Sequence, residues 1–478
     1  MNFTPVLLWS DILLWLLIFA AIVFGVLSGK NPLMRTAWRR IGRNRAGIAA
    51  ATVLAVFVSI GLLDSLHYRR RLENTPPRHS AVYSVEALSL LDAIAAPLRE
   101  RNEKTYSAPL AAHAYAKETF ETRGADGRYR ALRDFPRLRF GGAHLGEDET
   151  ARRRDILSRT LRAEIFAIAL FALLAGIVIH RLRCRYSCEK KAEISFGKAW
   201  KSIWAGETEF SWNALLGTLG ALLALLLPAL ALCVDYHIFG TDKVGQDVFY
   251  QILKSIRTAL VIGLLTTLVT LPLAVLFGIF SGYFRGWIDD VIQYIYTTLS
   301  SIPGVLLIAA AVLMMEVVID THPQWFATAV ERADARLLAL CGILGLTSWT
   351  NLCRLLRGET LKLRELEYIQ AARAFGVGHS KIVFRHILPN LTPVIVIALV
   401  MDFSGLVLAE AVLSYIGIGV DPAMTSFGTM INNARMELAR APVVWWSLAS
   451  SFVFMFALVL AANLFADAVR DAFNPEGE

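Results

Sequence analysis

Apolar positions in this chain gather into long uninterrupted runs instead of recurring at the spacing of a half-buried soluble helix or strand. A run of about 20 apolar residues matches the thickness of a bilayer's hydrocarbon core. About nine such runs occur, near residues 8–28, 46–64, 161–181, 212–234, 258–283, 291–318, 335–353, 394–417 and 445–467. Backbone polar groups in hydrocarbon must be satisfied within their own segment, so the runs predict helices and an all-α polytopic membrane protein. The first run does not read as a secretory signal, since no Lys or Arg precedes it and no small-residue cleavage site clearly follows.

The loops between runs set an orientation. Lys30, Arg35, Arg39, Arg40, Arg43 and Arg45 follow the first run with no acid among them. Arg181, Arg183, Arg185, Lys190 and Lys191 follow the third, and Arg354, Arg357, Lys362 and Arg364 the seventh. Short basic loops stay in the cytoplasm, so the N-terminus is expected outside and the C-terminus inside. The segment 65–158 then faces the periplasm; it is Arg-rich, but long segments translocate largely regardless of charge. Composition agrees: 55% of residues are hydrophobic and 18% charged, with a net charge of +8. Cys233, Cys341 and Cys353 lie in or beside apolar runs as small hydrophobes, and Cys184 with Cys188 lacks the further ligands of a metal site.

The most informative polar stretch runs from Glu367 to Gly376. Glu365 and Glu367 suit a helix N-terminus, Ile369, Ala372 and Phe375 recur at helical spacing, and Gly376 suits a left-handed stop. Small Ala371 and Ala372 permit close backbone approach. A second short helix is expected from Ser380 to His386, with Leu388, Pro389, Asn390, Thr392 and Pro393 opening the next span. Two short helices on a membrane surface result, a pattern also compatible with an ordinary basic amphipathic loop. No Gly-x-x-x-x-Gly-Lys-Ser/Thr phosphate loop occurs, and no Ser-His-Asp set or zinc-ligand spacing. No catalytic, cofactor-binding or metal residues are therefore expected, and no enzyme activity.

Several of these segments resemble the second, C-type permease subunit of the dipeptide and oligopeptide ABC importer family, over residues from about 34 to the C-terminus less one insert. Glu367 to Gly376 with Arg385 to Asn390 resembles the family's cytoplasmic coupling loop, although Gln370 stands where many permeases carry glutamate. Trp38 to Arg45 resembles the basic entry to the first core span. Gly240-Thr241-Asp242, with Gly245 and Asp247, resembles a periplasmic signature, Gln246 replacing its usual arginine. Ser301 to Gly304 resembles a Pro-broken span. Ala409 to Gly419, containing Glu410, Gly417 and Gly419, then Pro422 and Ser426 to Gly428, resembles the late-span motif.

The resemblance implies a permease subunit of an ATP-driven, binding-protein-dependent importer in the bacterial inner membrane, translocating di- or oligopeptides, with nickel chelates and glycosides as alternatives. It implies a homologous permease subunit as partner in a heterodimer, two ABC ATPase subunits, a periplasmic solute-binding protein and membrane lipid, and no nucleic acid and no cofactor. Six spans would form the core. The organisation reads as an extra helix and basic loop (1–45), a first core span (46–64), a periplasmic insert (65–158), additional spans with a basic loop (159–234), and the permease core (235–478) with its coupling loop (357–392). A secondary transporter should show an inverted second half, and a sensor a cytoplasmic output domain; neither is visible.

The insert has an amphipathic stretch from Val85 to Leu98 and a second from Pro109 to Thr119, both expected as helices, while Gly124 to Gly146 looks irregular. Together they suggest a small helical cap over the solute path or against the binding protein, or a spacer. Glu316, Asp402 and Glu410 are ionisable residues within spans. Glu316 and Glu410 sit near span ends and suit structural roles. Asp402 lies deeper, where it could face the path and meet a cationic group such as a peptide amino terminus, or pair with a partner subunit. Pro272 and Pro303 are expected to interrupt their spans.

Overall fold

The computed structural model describes residues 3–29, 32–71, 83–123, 129–146, 149–190, 196–206, 208–326 and 328–473. The chain opens with strand β1 (Phe3–Val6), helix α1 (Trp9–Ser28), the short basic helix α2 (Pro32–Arg43) and α3 (Arg45–Asp64). The next region carries β2 (His67–Arg70), β3 (Leu88–Ser89), α4 (Leu90–Ile94), α5 (Ala96–Glu100) and the hairpin strands β4 (Glu118–Arg123) and β5 (Tyr129–Asp134). Helices α6 (Glu149–Lys190), α7 (Phe196–Ala205) and α8 (Trp212–Leu232) follow. The remainder comprises α9 (Val248–Phe284), α10 (Trp287–Ser301), α11 (Gly304–Thr321), α12 (Ala329–Arg364), α13 (Glu367–Ala374), α14 (His379–Ile382), α15 (Leu388–Ile416), α16 (Phe427–Leu438) and α17 (Trp446–Phe473).

Among the described residues nine helices are long and apolar enough to cross a membrane. They correspond one for one to the runs in the sequence, and most extend past the hydrocarbon as charged helical ends. Helix α9 is the axis of the bundle. Its first half packs Val248, Ile252 and Ile256 against Phe57 of α3, Val407 of α15, Phe427 and Met430 of α16 and Leu458 of α17. Lower down, Val261, Ile262 and Leu265 meet Leu14 of α1, Leu337 and Leu344 of α12 and Leu413 of α15. Helices α6 and α8 stand to one side, joined through Ala175, Ile179 and Leu216 with Ile203 of α7, and α8 leans on α3.

Local chemistry corrects several expectations. Pro303 does end α10, and the spanning segment is Gly304–Thr321. Pro272 does not break α9, which continues through it to Phe284. Around it α9 packs side by side with α12, where Gly345 admits Val269 so closely that a Cβ would sit 2.6 Å from its Cβ. The predicted helix over Val85–Leu98 is divided. Leu88 pairs with Tyr68, a capping box between Ser89 and Asp92 starts α4 afresh, and Pro97 opens α5. No helix forms over Pro109–Thr119, because Ser107 bridges Ala114 and His113 bridges Arg137. Within 124–146, expected to be irregular, β5 pairs with β4 as a hairpin from Glu118↔Asp134 to Arg123↔Tyr129.

The insert is thus a mixed unit and not a helical cap, while the all-α class holds across the membrane. Strand β1, from the very start of the chain, completes its sheet in the order β1-β2-β3, both pairings antiparallel. The side chain of Cys188 and residues 474–475 lie outside the described residues.

Candidate functional site

Helix α12 runs on to Arg364, so the segment that leaves the bundle begins at Glu365. There Arg285 pairs with Glu365 at 2.8 Å, and Gln370 donates to the Glu365 carbonyl at 3.0 Å. Helix α13 turns one face inward: Ile369 is fully buried, with Ala372 and Val377 packed beside it. Its other face is open, with Glu367, Ala371 and Gly376 exposed, and Tyr368 and Phe375 46% and 87% exposed. Gly376 has φ +74°, the left-handed geometry that a Cβ disfavours, and closes the helix. The N–H of Val377 then returns to the Ala372 carbonyl at 3.0 Å.

The second short helix is not the separate Ser380–His386 element expected. Residues His379–Ile382 pass into a π-helical turn over Val383–Ile387 and straight into α15. Leu388 and Pro389 therefore lie inside a continuous helix, and Asn390 does not cap it but donates to the Tyr368 hydroxyl at 3.0 Å. The widened turn suits Pro389 and Pro393, each of which lacks an N–H for the regular ladder. Ile382, Ile387 and Leu391 tie this rod to Trp349, Leu352 and Leu356 of α12. The rod that begins beside α13 is one candidate membrane span from His379 to Ile416.

At the opposite end, the signature around Gly240 is a tight loop sealed by the insert. Gly240 and Gly245 have φ of +69° and +80°, and a Cβ on either would overlap the carbonyl of Ser107 or Glu103. Thr241 is fully buried; its hydroxyl accepts from the Ser107 N–H at 2.7 Å and donates to the Thr105 carbonyl at 2.9 Å. Asp242 accepts from the N–H groups of Val244 and Gln246, both at 2.9 Å. Asp247 caps α9 by accepting from Phe249 N–H at 2.8 Å, and also holds His237 Nδ1 at 2.7 Å. The other face of that imidazole lies 3.5 Å from Glu103. Burial opposes the charge on His237, but the hydrogen bond to Asp247 and the nearby Glu103 carboxylate outweigh it and push the imidazole up to about 9.

Further insert residues reach the far side of the bundle. Tyr106 donates to Glu437 at 3.3 Å with Arg440 over its ring. Tyr115 donates to the Val443 carbonyl at 3.0 Å and meets Trp446 edge-on. Trp446 closes the circuit by donating its indole N–H to the Thr241 carbonyl at 3.0 Å. The insert is a clasp across two corners of the core.

The late-span motif is compact. Glu410, 1% exposed, accepts from Ser414 at 2.6 Å and Ser426 at 2.8 Å, folding α16 back on α15. Gly417 ends α15 at φ +89°, Gly419 presses on Ser414, and Pro422 follows Asp421, whose carboxylate pairs with Arg336 at 2.6 Å. Glu316 lies 3.8 Å from the same Arg336. Asp402 differs from both: it is exposed, has no hydrogen-bond or ion-pair partner among the described residues, and sits fourteen residues from each end of α15.

Sequence reasoning missed a buried charge cluster on α1 and α9. Asp11 of α1 accepts from Arg257 Nη2 at 2.6 Å and meets His67 at 2.8 Å, while Ser10 binds Asp334. Nearby, Lys254 joins Asp64 at 2.6 Å and Asp92 of the insert at 3.2 Å. An acid inside the first apolar run was the available signal.

A family model described as binding-protein-dependent transport system inner membrane component matches residues 274–476. The glutathione transport system permease protein GsiD of Pectobacterium atrosepticum is 34% identical over 50% of this chain and 73% of its own length. The oligopeptide transport system permease protein OppC of Mycobacterium tuberculosis is 30% identical over 50% and 76%. The dipeptide transport system permease protein DppC of Lactococcus lactis is 30% identical over 50% and 64%. A chain of the MetNI methionine ABC transporter superposes with a TM-score of 0.36 at 16% identity, covering 48% of this chain and 98% of that one, too loosely to bear on the fold. The function that follows is that of a multi-pass inner-membrane permease subunit served by separate ATPase and substrate-binding partners: this chain belongs to the binding-protein-dependent transport system inner membrane component family.

Proposed function

We propose that the chain forms half of the path of a di- or oligopeptide importer, pairs with a homologous permease subunit as a heterodimer, and receives the stroke of one of two ATPase subunits on α13. The observation that carries this reading is the pairing of an outward face on α13 with a rigid inner face: Glu367, Ala371 and Gly376 are exposed while Ile369 is locked against α12. Leu388 and Pro389 lie in the rod that continues from this platform, and Glu410, Gly417, Gly419 and Pro422 fold its far end. The names of the relatives, which specify glutathione, oligopeptides and dipeptides, support a peptide substrate.

Basic loops after α1, α6 and α12 support an N-terminus in the periplasm and a C-terminus in the cytoplasm. The division into 1–45, 46–64, 65–158, 159–234 and 235–478 follows, with Gly240, Thr241, Asp242, Gly245 and Asp247 on the periplasmic side. Asp402 faces the path: a carboxylate at mid-membrane without an internal partner is costly against lipid and is accommodated by water or a passing cation. The test is purification under mild detergent with identification of co-purifying chains, then measurement of peptide-stimulated ATP hydrolysis with the binding protein added. Recovery of a second permease and ATPase with peptide stimulation is expected; those partners without stimulation overturn the substrate, and a lone chain overturns the assembly.

A further inference from the structure

We propose that the groove between the outer halves of α6 and α8 holds one anionic phospholipid, its phosphate on Arg162 and an acyl chain between the helices. The two helices touch where the ring of Phe171 lies over Gly220, so closely that a Cβ there would stand 3.1 Å from the ring. Toward the insert side they part, leaving a cavity of about 440 Å³ lined by Arg159, Arg162, Phe166, Leu227 and Leu230 among others. That volume lies in the range of small-molecule sites.

The groove has a roof and a floor. Above it Arg159 is neutralised by Asp155 at 2.8 Å and Asp235 at 2.5 Å, and Asp155 also accepts from Tyr236 at 3.0 Å. Nine residues of α6 separate Arg162 from Phe171, about 14 Å of helix. This is close to half of a ~30 Å hydrocarbon core, the depth of one leaflet.

Charge selects the headgroup. Arg162 is exposed, donates only to the carbonyl and hydroxyl of Ser158 among the described residues, and pairs with no acid among them. Phe166 and Leu230, 60% and 52% exposed, form the apolar walls beneath it. A guanidinium above an apolar slot matches a phosphate above an acyl chain. Nothing in this assignment depends on the transported solute.

The test uses the purified full chain with whatever subunits accompany it, delipidated in detergent and titrated with dioleoyl phosphatidylglycerol or dioleoyl phosphatidylcholine under native mass spectrometry. One phosphatidylglycerol is expected to be retained about tenfold more tightly than phosphatidylcholine. Arg162→Gln should remove about tenfold of that retention, and Leu230→Trp, which fills the slot, should reduce it for both lipids. The two substitutions sit on different helices at exposed positions, so loss of one variant to misfolding leaves the other as the test. Equal retention of the two lipids, or unchanged phosphatidylglycerol binding in both variants, overturns the proposal. Displacement of the lipid by millimolar inorganic phosphate would make this a free-anion site and overturn the acyl-chain assignment.

Discussion

Replacing Asp11 by Asn tests whether the additional first helix is an integral part of the transporter. Arg257 is 6% exposed, and its charge is met at 2.6 Å by Asp11, with Ser10 accepting a further bond at 3.2 Å. Asn keeps the volume but removes the charge, leaving a buried guanidinium uncompensated and His67 without its acid. Breaking a buried pair from one side costs roughly 3–5 kcal/mol. With an unfolding entropy of about 2.1 cal/mol/K per residue, a chain of 478 residues shifts by about 1 °C per kcal/mol, so the melting midpoint in detergent should fall by roughly 3–5 °C. Fluorescence-detected size-exclusion after stepwise heating measures it. The second half of the cycle adds Arg257→Met, which removes the orphaned charge; the double variant should recover much of the loss, giving a strongly non-additive coupling. A midpoint within about 1 °C of the parent, or strictly additive losses, would refute the view that this pair seats α1 against α9.

Gly245→Ala should destabilise the Gly240–Asp247 loop, since its Cβ would overlap the Glu103 carbonyl at a φ of +80°; limited proteolysis near 101–110 should accelerate, and unchanged cleavage would count against the clasp. Gly376→Val is expected to leave peptide-independent ATP hydrolysis in place while uptake falls, because a β-branched residue resists φ +74° and redirects α14; fully coupled transport would remove α13 as the contact. His237 gains its stabilising charge on folding, so that contribution is complete below the ordinary value near 6.5 and is lost as pH rises through about 9. Glu103 runs the other way: burial opposes its charge, but His237 and the N–H groups of 139–141 hold its carboxyl below 4.5, so its contribution is lost only as pH falls beneath that. Hydrogen exchange across 237–247 should therefore show protection falling between about pH 7 and 10, and flat protection would sink the assignment. Asp402→Asn should reduce uptake of peptides with a free amino terminus more than that of N-acetylated ones, and equal effects would take Asp402 out of the path.

The membrane helices were legible because each is a long local pattern. Pro303 as a break and Gly376 as a stop likewise act within a turn or two of their own position. Pro272 misled because a proline removes one N–H from the ladder without having to end the helix, and α9 continues through it against α12. The insert was misread at longer range. Leu88 would suit a helix, yet it pairs with Tyr68 across a sheet completed by residues 3–6. The Gly240–Asp247 loop stood out by its resemblance to a family signature, but nothing near it in sequence announces that Glu103 and Ser107 supply its other wall. Such partners are set by tertiary approach, and a hydrophobicity pattern carries no record of them.

The distance in sequence between Asp11 and Arg257, 246 residues, has a consequence for biogenesis. At synthesis rates of about 5–20 residues per second, roughly 12–50 s pass between the emergence of the acid and of its partner. During that interval Asp11 lacks Arg257, and strand β1 has no finished sheet to join until β2 and β3 have been made. The seating of α1 therefore waits on a partner made long after it, and the order of synthesis is not the order in which this corner of the bundle is completed.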